Sequence, residues 1–362
     1  MKIVHVISTL NIGGAENFCV QLANEQALKC TVEIIILNST SANNSLMPKI
    51  AKSIRIHQLK WQKKYSLKQL FYLIKHLKLL QPSVVHVHLH NPFYYVYISS
   101  FFLNKIKFIH TIHSNFDVWR PIFNILNSVR FANNKINHVC ISKSIYDRFV
   151  FTYAKLKFSH VNNGIKIYQT LRKAEEVSSL WNKFGITDGP RFLAIGNLTY
   201  YKNFSLLAHT LKSLKVVSQN VNCVLIGEKI NENEYLKIIE VGADNLHLAG
   251  SVINAADYLS QADALLISSS QEGMPIVALE ALSLGVPVIT TPAGGMKDVV
   301  QNGYNGFIAQ DFEMVSFENC ISQWIKLDQH QKNKMKECAF KSFHENYNIE
   351  SISQQYINLY ER

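Results

Sequence analysis

The chain has 362 residues, 48% of them apolar and 17% charged, with a formal net charge of +11 at pH 7. That length is more than one core comfortably fills and points to two domains of ordinary size. Six scattered cysteines with no C-x-x-C pair indicate neither a disulfide framework nor a cysteine zinc site, and a reducing cytosol fits best.

The opening "MKIVHVIS" lacks the long apolar core of a signal peptide and reads as a strand, Lys2–Ile7. The connection "STLNI" then leads to adjacent Gly13 and Gly14 at the mouth of a helix, Ala15–Leu28. A dinucleotide turn needs G-x-G-x-x-G with an acidic residue ~20 positions later, and no third glycine follows here. Paired glycines still permit positive φ and leave backbone amides open to a ligand. The helix end favours a phosphate or sugar hydroxyls, and Glu16 is placed to cap orphan amides. A tight turn without a ligand is the plain alternative.

Further strands are expected at Thr31–Leu37, Val84–His88, Phe108–Ile112, His138–Ile141 and Phe158–Val161. Helical patterns between them lie at Leu67–Leu80, Tyr94–Leu103 and Lys143–Phe149, which argues a parallel sheet covered on both faces. The apolar run from Asn91 to Asn104 falls short of the ~20 residues that cross a bilayer.

Charge is lopsided. Residues 1–160 hold 20 Lys and Arg against 5 Asp and Glu, a net of +15 that leaves −4 for the remainder. Such a surface serves an anionic partner. On the Leu67–Leu80 helix and its approach, Lys64, Lys68, Lys75 and Lys78 fall within about 80° of one another, with Phe71 among them. Leu70, Leu73, Leu77 and Leu80 face the opposite way. A basic face carrying an aromatic ring suits anionic lipid headgroups, against the blander reading of a solvated helix. No zinc-finger, RNP or helix-turn-helix signature supports nucleic acid.

Histidines cluster next. His86, His88 and His90 would share one face of an extended run, as in a metal patch, but catalytic zinc also wants an open position. His86 sits mid-strand, so no metal site is expected. His110 and His113 follow, and His113 ends a strand, pointing into the crevice beyond the strand ends as a polar contact or base.

Turn-rich Asn162–Gly164, a polar passage and Asp188-Gly189-Pro190 separate this half from a restart of the alternation. Strands "FLAIGNL", "NCVLIGE", "NLHLAG", "ALLISS" and "PVITTP" alternate with helices beginning near Phe204, Asn233, Ala255, Ile276 and Gly295. A final helix, Met335–Leu359, is long enough to pack back on the first domain. The expected division is 1–165, 166–340 and a terminal segment, 341–362.

The second half holds the sharpest chemistry. Lys202 follows a strand ending at Gly196 and can neutralise a diphosphate leaving group, unless it is an ordinary loop lysine. In "QEGMPIVALEALSLGVPVITTPAGGMKD", Glu272 flanks the helix entry at Ile276 and Glu280 lies one turn in. Carboxylates so placed grip sugar or ribose hydroxyls. "PAGGMKD" sends a second glycine pair towards a helix, with its amides expected to be free for an anion.

Together these residues resemble the retaining GT-B glycosyltransferases of family 4, the "glycosyl transferases group 1" class, over essentially the whole chain. The most specific parts are the E-x7-E element from Glu272 to Glu280, "PAGGMKDVVQNGYNGF" and "NIGGAE". The resemblance implies an α/β GT-B fold of two Rossmann-like domains facing a deep cleft, the first binding acceptor and the second a nucleotide-diphosphate sugar. By position, Gly13 and Gly14 would approach donor or acceptor, and His113 would contact the donor sugar. Gly196 and Asn197 would line the donor site, and Lys202 would bind the diphosphate. Glu272 would meet the transferred sugar, Glu280 the ribose, and the backbone of Met274, Pro275 and Ile276 would help hold diphosphate and sugar.

The family's G-R-x-x-x-x-K element has Asn197 in place of arginine, so one positive charge is missing, and Asp298 stands where glutamate is common. The implied reaction is transfer with retention from a UDP- or GDP-sugar, with no metal or other cofactor, and no Asp-x-Asp occurs. A glycan or lipid-linked glycan acceptor in polysaccharide or lipopolysaccharide assembly, at the inner face of the cytoplasmic membrane, fits the basic first domain. An epimerase, a phosphorylase or a non-catalytic sugar-nucleotide-binding relative would share the architecture.

Overall fold

The structure is a computed structural model describing residues 1–41, 45–61, 66–113, 135–153, 156–217 and 220–362. It forms two compact units, Met1–Lys166 with Tyr347–Arg362, and Ile167–Asn346.

The first unit is built on a parallel sheet of seven strands: β1 (Lys2–Ile7), β2 (Thr31–Asn38), β3 (Arg55–Trp61), β4 (Val84–His88), β5 (Lys107–Ile112), β6 (Ile136–Cys140) and β7 (Phe158–His160). Their order is β3-β2-β1-β4-β5-β6-β7, so the winding reverses between β1 and β4, where such sheets open a ligand crevice. β1, β2 and β4 are buried almost without interruption because helices cover both faces. These are α1 (Gly14–Gln26), α2 (Leu67–Leu80), α3 (His90–Ser100) and α4 (Lys143–Thr152). β3 escaped the sequence reading: "RIHQLKW" is polar and half-exposed because it is an edge strand.

One expectation fails at β4. The extended run stops at His88, Leu89 turns with φ 69, and His90 opens α3. His90 therefore does not complete a strand-borne triplet with His86 and His88, and the helix begins ahead of the expected Tyr94.

The second unit repeats the scheme with β8 (Arg191–Ile195), β9 (Asn222–Ile226), β10 (Leu246–Gly250), β11 (Ala264–Ile267), β12 (Val288–Thr290) and β13 (Gly306–Ile308). All pairings are parallel in the order β10-β9-β8-β11-β12-β13, and the winding reverses between β8 and β11. Its helices are α5 (Ala174–Lys183), α6 (Phe204–Val217), α7 (Glu232–Val241), α8 (Ile276–Ser283), α9 (Met296–Val299), α10 (Met314–Lys326) and α11 (Gln329–Asn346). The passage read as a polar connection contains α5, whose Val177 and Trp181 are fully buried. The helix expected near Ala255 is a 3-10 segment, Ala255–Gln261. Two parallel sheets, each flanked by helices, are the two-domain α/β architecture that the resemblance implied.

The expected single helix Met335–Leu359 is broken. Ile165 N donates to Tyr347 O at 3.0 Å, and Ile349 N donates to Ile165 O at 3.0 Å, which takes these groups out of any continuous helix. The Asn348 side chain then accepts from Glu350 N and caps α12 (Ile349–Glu361). Tyr356 and Tyr360 of α12 lie fully buried in the first unit's core with Phe18 and Leu22.

Candidate functional site

In the second unit the candidate residues gather at the carboxyl ends of β8 and β11, the two strands flanking the reversal. Lys202 Nζ donates to Glu272 Oε1 at 2.6 Å, and Ser269 Oγ donates to the same oxygen at 2.6 Å. Sequence reading missed the serines that build this arrangement. Ser268 Oγ donates to Lys202 O at 2.9 Å, and Ser270 N to Tyr201 O at 2.8 Å, stitching the lysine loop to the end of β11. Thr291 Oγ1, just past β12, donates to Ser269 O at 2.6 Å. The available signal was three consecutive serines directly after the apolar "ALLI".

Gly196 lies beneath the Lys202 stem: a Cβ there would stand 3.2 Å from Lys202 Cε. Asn197 is exposed, and its Oδ1 accepts from Glu228 N at 3.1 Å, so the residue standing where the family has arginine braces the loop after β9.

Glu272 leads through Gly273 and buried Met274 and Pro275 into α8. Pro275 is the extended N-cap, and the amides of Ile276 and Val277 have no acceptor among the described residues. Open amides at a helix start attract anions. Glu280 sits half-buried one turn into α8. Burial, then the hydrogen bond to Asp257, then the charges of Asp257 and Glu280 push the Tyr168 phenol above its ordinary range, which puts Glu280 near that ring.

The second glycine pair behaves differently from expectation. α9 spans only Met296–Val299, and Gly295 N donates to Gly273 O at 2.8 Å. That amide is therefore not free for an anion; it ties "PAGG" to the Glu272–Met274 loop. The contact requires glycine, because a Cβ at position 295 would overlap the Gly273 carbonyl oxygen.

In the first unit Gly13 is extended, with φ −163, and Gly14 opens α1 in ordinary helical backbone, so neither uses positive φ. The Glu16 carboxylate folds back over Gly13 and fills the space that a side chain there would need. Burial raises its pKa, opposed by a hydrogen bond from its own amide.

His113 follows β5 directly and is half-buried. Its Nε2 lies 3.2 Å from His88 Nδ1, His88 Nε2 lies 3.0 Å from His5 Nδ1, and His5 Nε2 lies 2.8 Å from Gln26 Oε1. A second branch joins His86 Nδ1 to Tyr360 OH at 2.6 Å and His86 Nε2 to Thr111 Oγ1 at 2.6 Å. Burial lowers the pKa of His5 to about 4 and of His113 to about 3, and holds His86 and His88 well below the usual range. All four rings are neutral at pH 7. Nitrogens of His5, His86 and His88 lie within 4.8 Å of one another, close enough to hold a cation. Every ring nitrogen of the three already has a hydrogen-bond partner, so no lone pair is spare.

On α2, Lys68, Lys75 and Lys78 are exposed beside an exposed Phe71, while Leu70, Leu73, Ile74 and Leu77 are buried and Leu80 half-buried. Lys64 lies outside the described residues.

Residues 180–342, which carry Lys202, Glu272 and Glu280, match the family described as "Glycosyl transferases group 1", and residues 12–167 match "Glycosyltransferase Family 4". The chain belongs to the GT-B glycosyltransferases related to family 4. Among relatives of this glycosyltransferase, an N-acetyl-alpha-D-glucosaminyl L-malate synthase of Bacillus anthracis is 27% identical over 51% of the chain. A Campylobacter jejuni N,N'-diacetylbacillosaminyl-diphospho-undecaprenol alpha-1,3-N-acetylgalactosaminyltransferase is 23% identical over 73% of it. The matches span 49% and 64% of those two relatives' own lengths. Anabaena HepE, solved in complex with UDP and glucose, superposes with TM-score 0.79 and 19% identity over 99% of both chains. A Rickettsia africae glycosyltransferase superposes with TM-score 0.84 and 16% identity, covering 99% of this chain and 97% of that one.

Proposed function

We propose that this glycosyltransferase moves a sugar from a UDP- or GDP-linked donor to a glycan or lipid-linked glycan acceptor, with retention of anomeric configuration. The observation that carries the reading is the Lys202–Glu272–Ser269 cluster beside the open amides of α8. It offers one cation and oriented N–H groups to a diphosphate, and carboxylates at Glu272 and Glu280 to sugar and ribose hydroxyls. Gly13, Gly14 and His113 are the sugar-facing residues of the first unit.

In the reaction the acceptor oxygen bonds to the anomeric carbon from the face the diphosphate leaves. The bond from that carbon to the phosphate oxygen breaks, and a phosphate oxygen takes the acceptor proton. No side chain forms a covalent intermediate. Lys202 and the α8 amides stabilise the charge that builds on the departing diphosphate, and the remaining residues orient the reactants. No metal or other cofactor enters this chemistry.

The exposed basic face of α2 supports peripheral contact with an anionic membrane, where a lipid-linked acceptor for polysaccharide or lipopolysaccharide assembly would lie. Among the described residues no helix is long and apolar enough to cross a membrane.

The test is a panel of UDP-, GDP- and other nucleotide sugars screened for binding and then for transfer with chelator present. Transfer that survives both Lys202→Ala and Glu272→Ala would overturn the assignment. Binding without turnover would make the chain a sugar-nucleotide-binding relative.

A further inference from the structure

We propose that Gln26, acting through His5 and His88, fixes the tautomer of His113 so that its Nδ1 is a hydrogen-bond acceptor for a ligand hydroxyl. A histidine that ends a strand can offer either a donor or an acceptor to a ligand, and its other nitrogen's partner decides which. Here the decision is passed inward through two more rings to an amide.

The Gln26 Nε2 group donates to Tyr360 OH at 3.1 Å, which leaves Oε1 to accept from His5 Nε2 at 2.8 Å. His5 then carries its proton on Nε2, and its Nδ1 must accept from His88 Nε2. By the same step His88 Nδ1 must accept from His113 Nε2. His113 is thereby protonated on Nε2, with a lone pair on Nδ1, and no other hydrogen bond holds the ring among the described residues.

The second branch accommodates the same polarity through hydroxyls that can donate or accept. Tyr360, having accepted from Gln26, donates to His86 Nδ1, and His86 Nε2 donates to Thr111 Oγ1. Gln26, His5, His86, His88 and Thr111 are all fully buried, so no water exchange relaxes the order. Reversing it requires the amide and every ring to flip together. His5, His88 and Gln26 are positioning residues: they act on a ligand only through His113. The hydroxyl's identity as part of a donor sugar rests on the transferase reading; the tautomer does not.

The experiment is a long-range 1H–15N spectrum of the full chain labelled at histidine, with the His113 signals identified by their loss in His113→Asn. A protonated Nε2 and an unprotonated Nδ1 are expected for His113 in the native chain and in Gln26→Glu, whose carboxylate can only accept. Gln26→Leu and His5→Phe should shift His113 to a mixture of tautomers. Nucleotide-sugar binding should then weaken about tenfold, the size of one hydrogen bond, with binding of the free nucleoside diphosphate unchanged. A protonated Nδ1 in the native chain overturns the proposal. So does a native His113 pattern in a folded His5→Phe, and where that variant does not fold the native and Gln26→Glu spectra decide. Should no nucleotide sugar bind the native chain, the transferase reading fails while the 15N pattern still judges the relay.

Discussion

Lys202 Nζ and Glu272 Oε1 meet at 2.6 Å although 70 residues separate them in sequence. The cation assigned to the diphosphate and the carboxylate assigned to the sugar are held by each other before a ligand enters. A donor that binds here must offer each group a better partner, phosphate to the lysine and hydroxyls to the glutamate. That exchange selects for a ligand carrying both in one molecule.

Lys202→Ala is expected to lower the transfer rate about 100-fold, the usual cost of removing one stabilising group from a developing anion. Glu272→Gln keeps the shape and some hydrogen-bonding capacity and should lose less. Because the pair is partly open to solvent, with side-chain exposures of 26% and 11%, the melting temperature should hardly move. Steady-state transfer and a thermal melt on each variant check this, and a native rate in Lys202→Ala counts against the role.

Gly295→Ala should be costly for a different reason. Its methyl would overlap the Gly273 carbonyl oxygen and push the Glu272–Met274 loop away. A loss of about 1–3 kcal/mol is expected from such overpacking, with donor binding weakened as well. Denaturant titration alongside donor binding measures both, and native values for the pair would show that the loop contact is dispensable.

Acid should destabilise the first unit. His5 and His138 are lowered by burial to about 4, and His113 to about 3, from an ordinary 6.5. Below pH 6.5 the unfolded chain binds protons that these rings refuse in the fold, so stability is full above that value and falls as pH approaches the folded values. One such ring costs about 2 kcal/mol by pH 5. Melting temperature should therefore drop steadily between pH 7 and pH 5, and a flat profile would contradict neutral buried histidines.

Changing Lys68, Lys75 and Lys78 together to glutamine should weaken binding to anionic vesicles. At about 1 kcal/mol per lysine the loss is roughly 150-fold, and added salt should imitate it. Neutral vesicles should show no such difference. Equal binding of the native and triple-substituted chains to anionic vesicles would remove the membrane from the proposal.

The parallel, helix-covered character of both sheets was legible because central strands such as "KIVHVI" and "ALLI" are largely apolar runs at helix-length spacing. Strands that depart from that pattern were not: β3 is polar at a sheet edge, and β13 is three residues long. The E-x7-E spacing placed Glu272 at the entry of α8 and Glu280 one turn in, because helix geometry is regular. What escaped depends on contacts between distant segments. Ser268–Ser270 stitch a loop 66 and 69 residues away, and Gln26 meets Tyr360 across 334 residues. The break at Tyr347–Asn348 was hidden likewise, since its cause is pairing with Ile165.

The return of α12 to the first unit also sets an order of manufacture. Residues 167–346 are contiguous, so the second unit is complete once the ribosome has passed them. The first unit emerges earlier yet lacks Tyr356 and Tyr360, two of its largest fully buried side chains, until α12 has left the exit tunnel. Its half-finished core must wait, open, through the synthesis of the entire second unit, and a released chain ending at residue 346 should hold a finished second unit and a protease-sensitive first one.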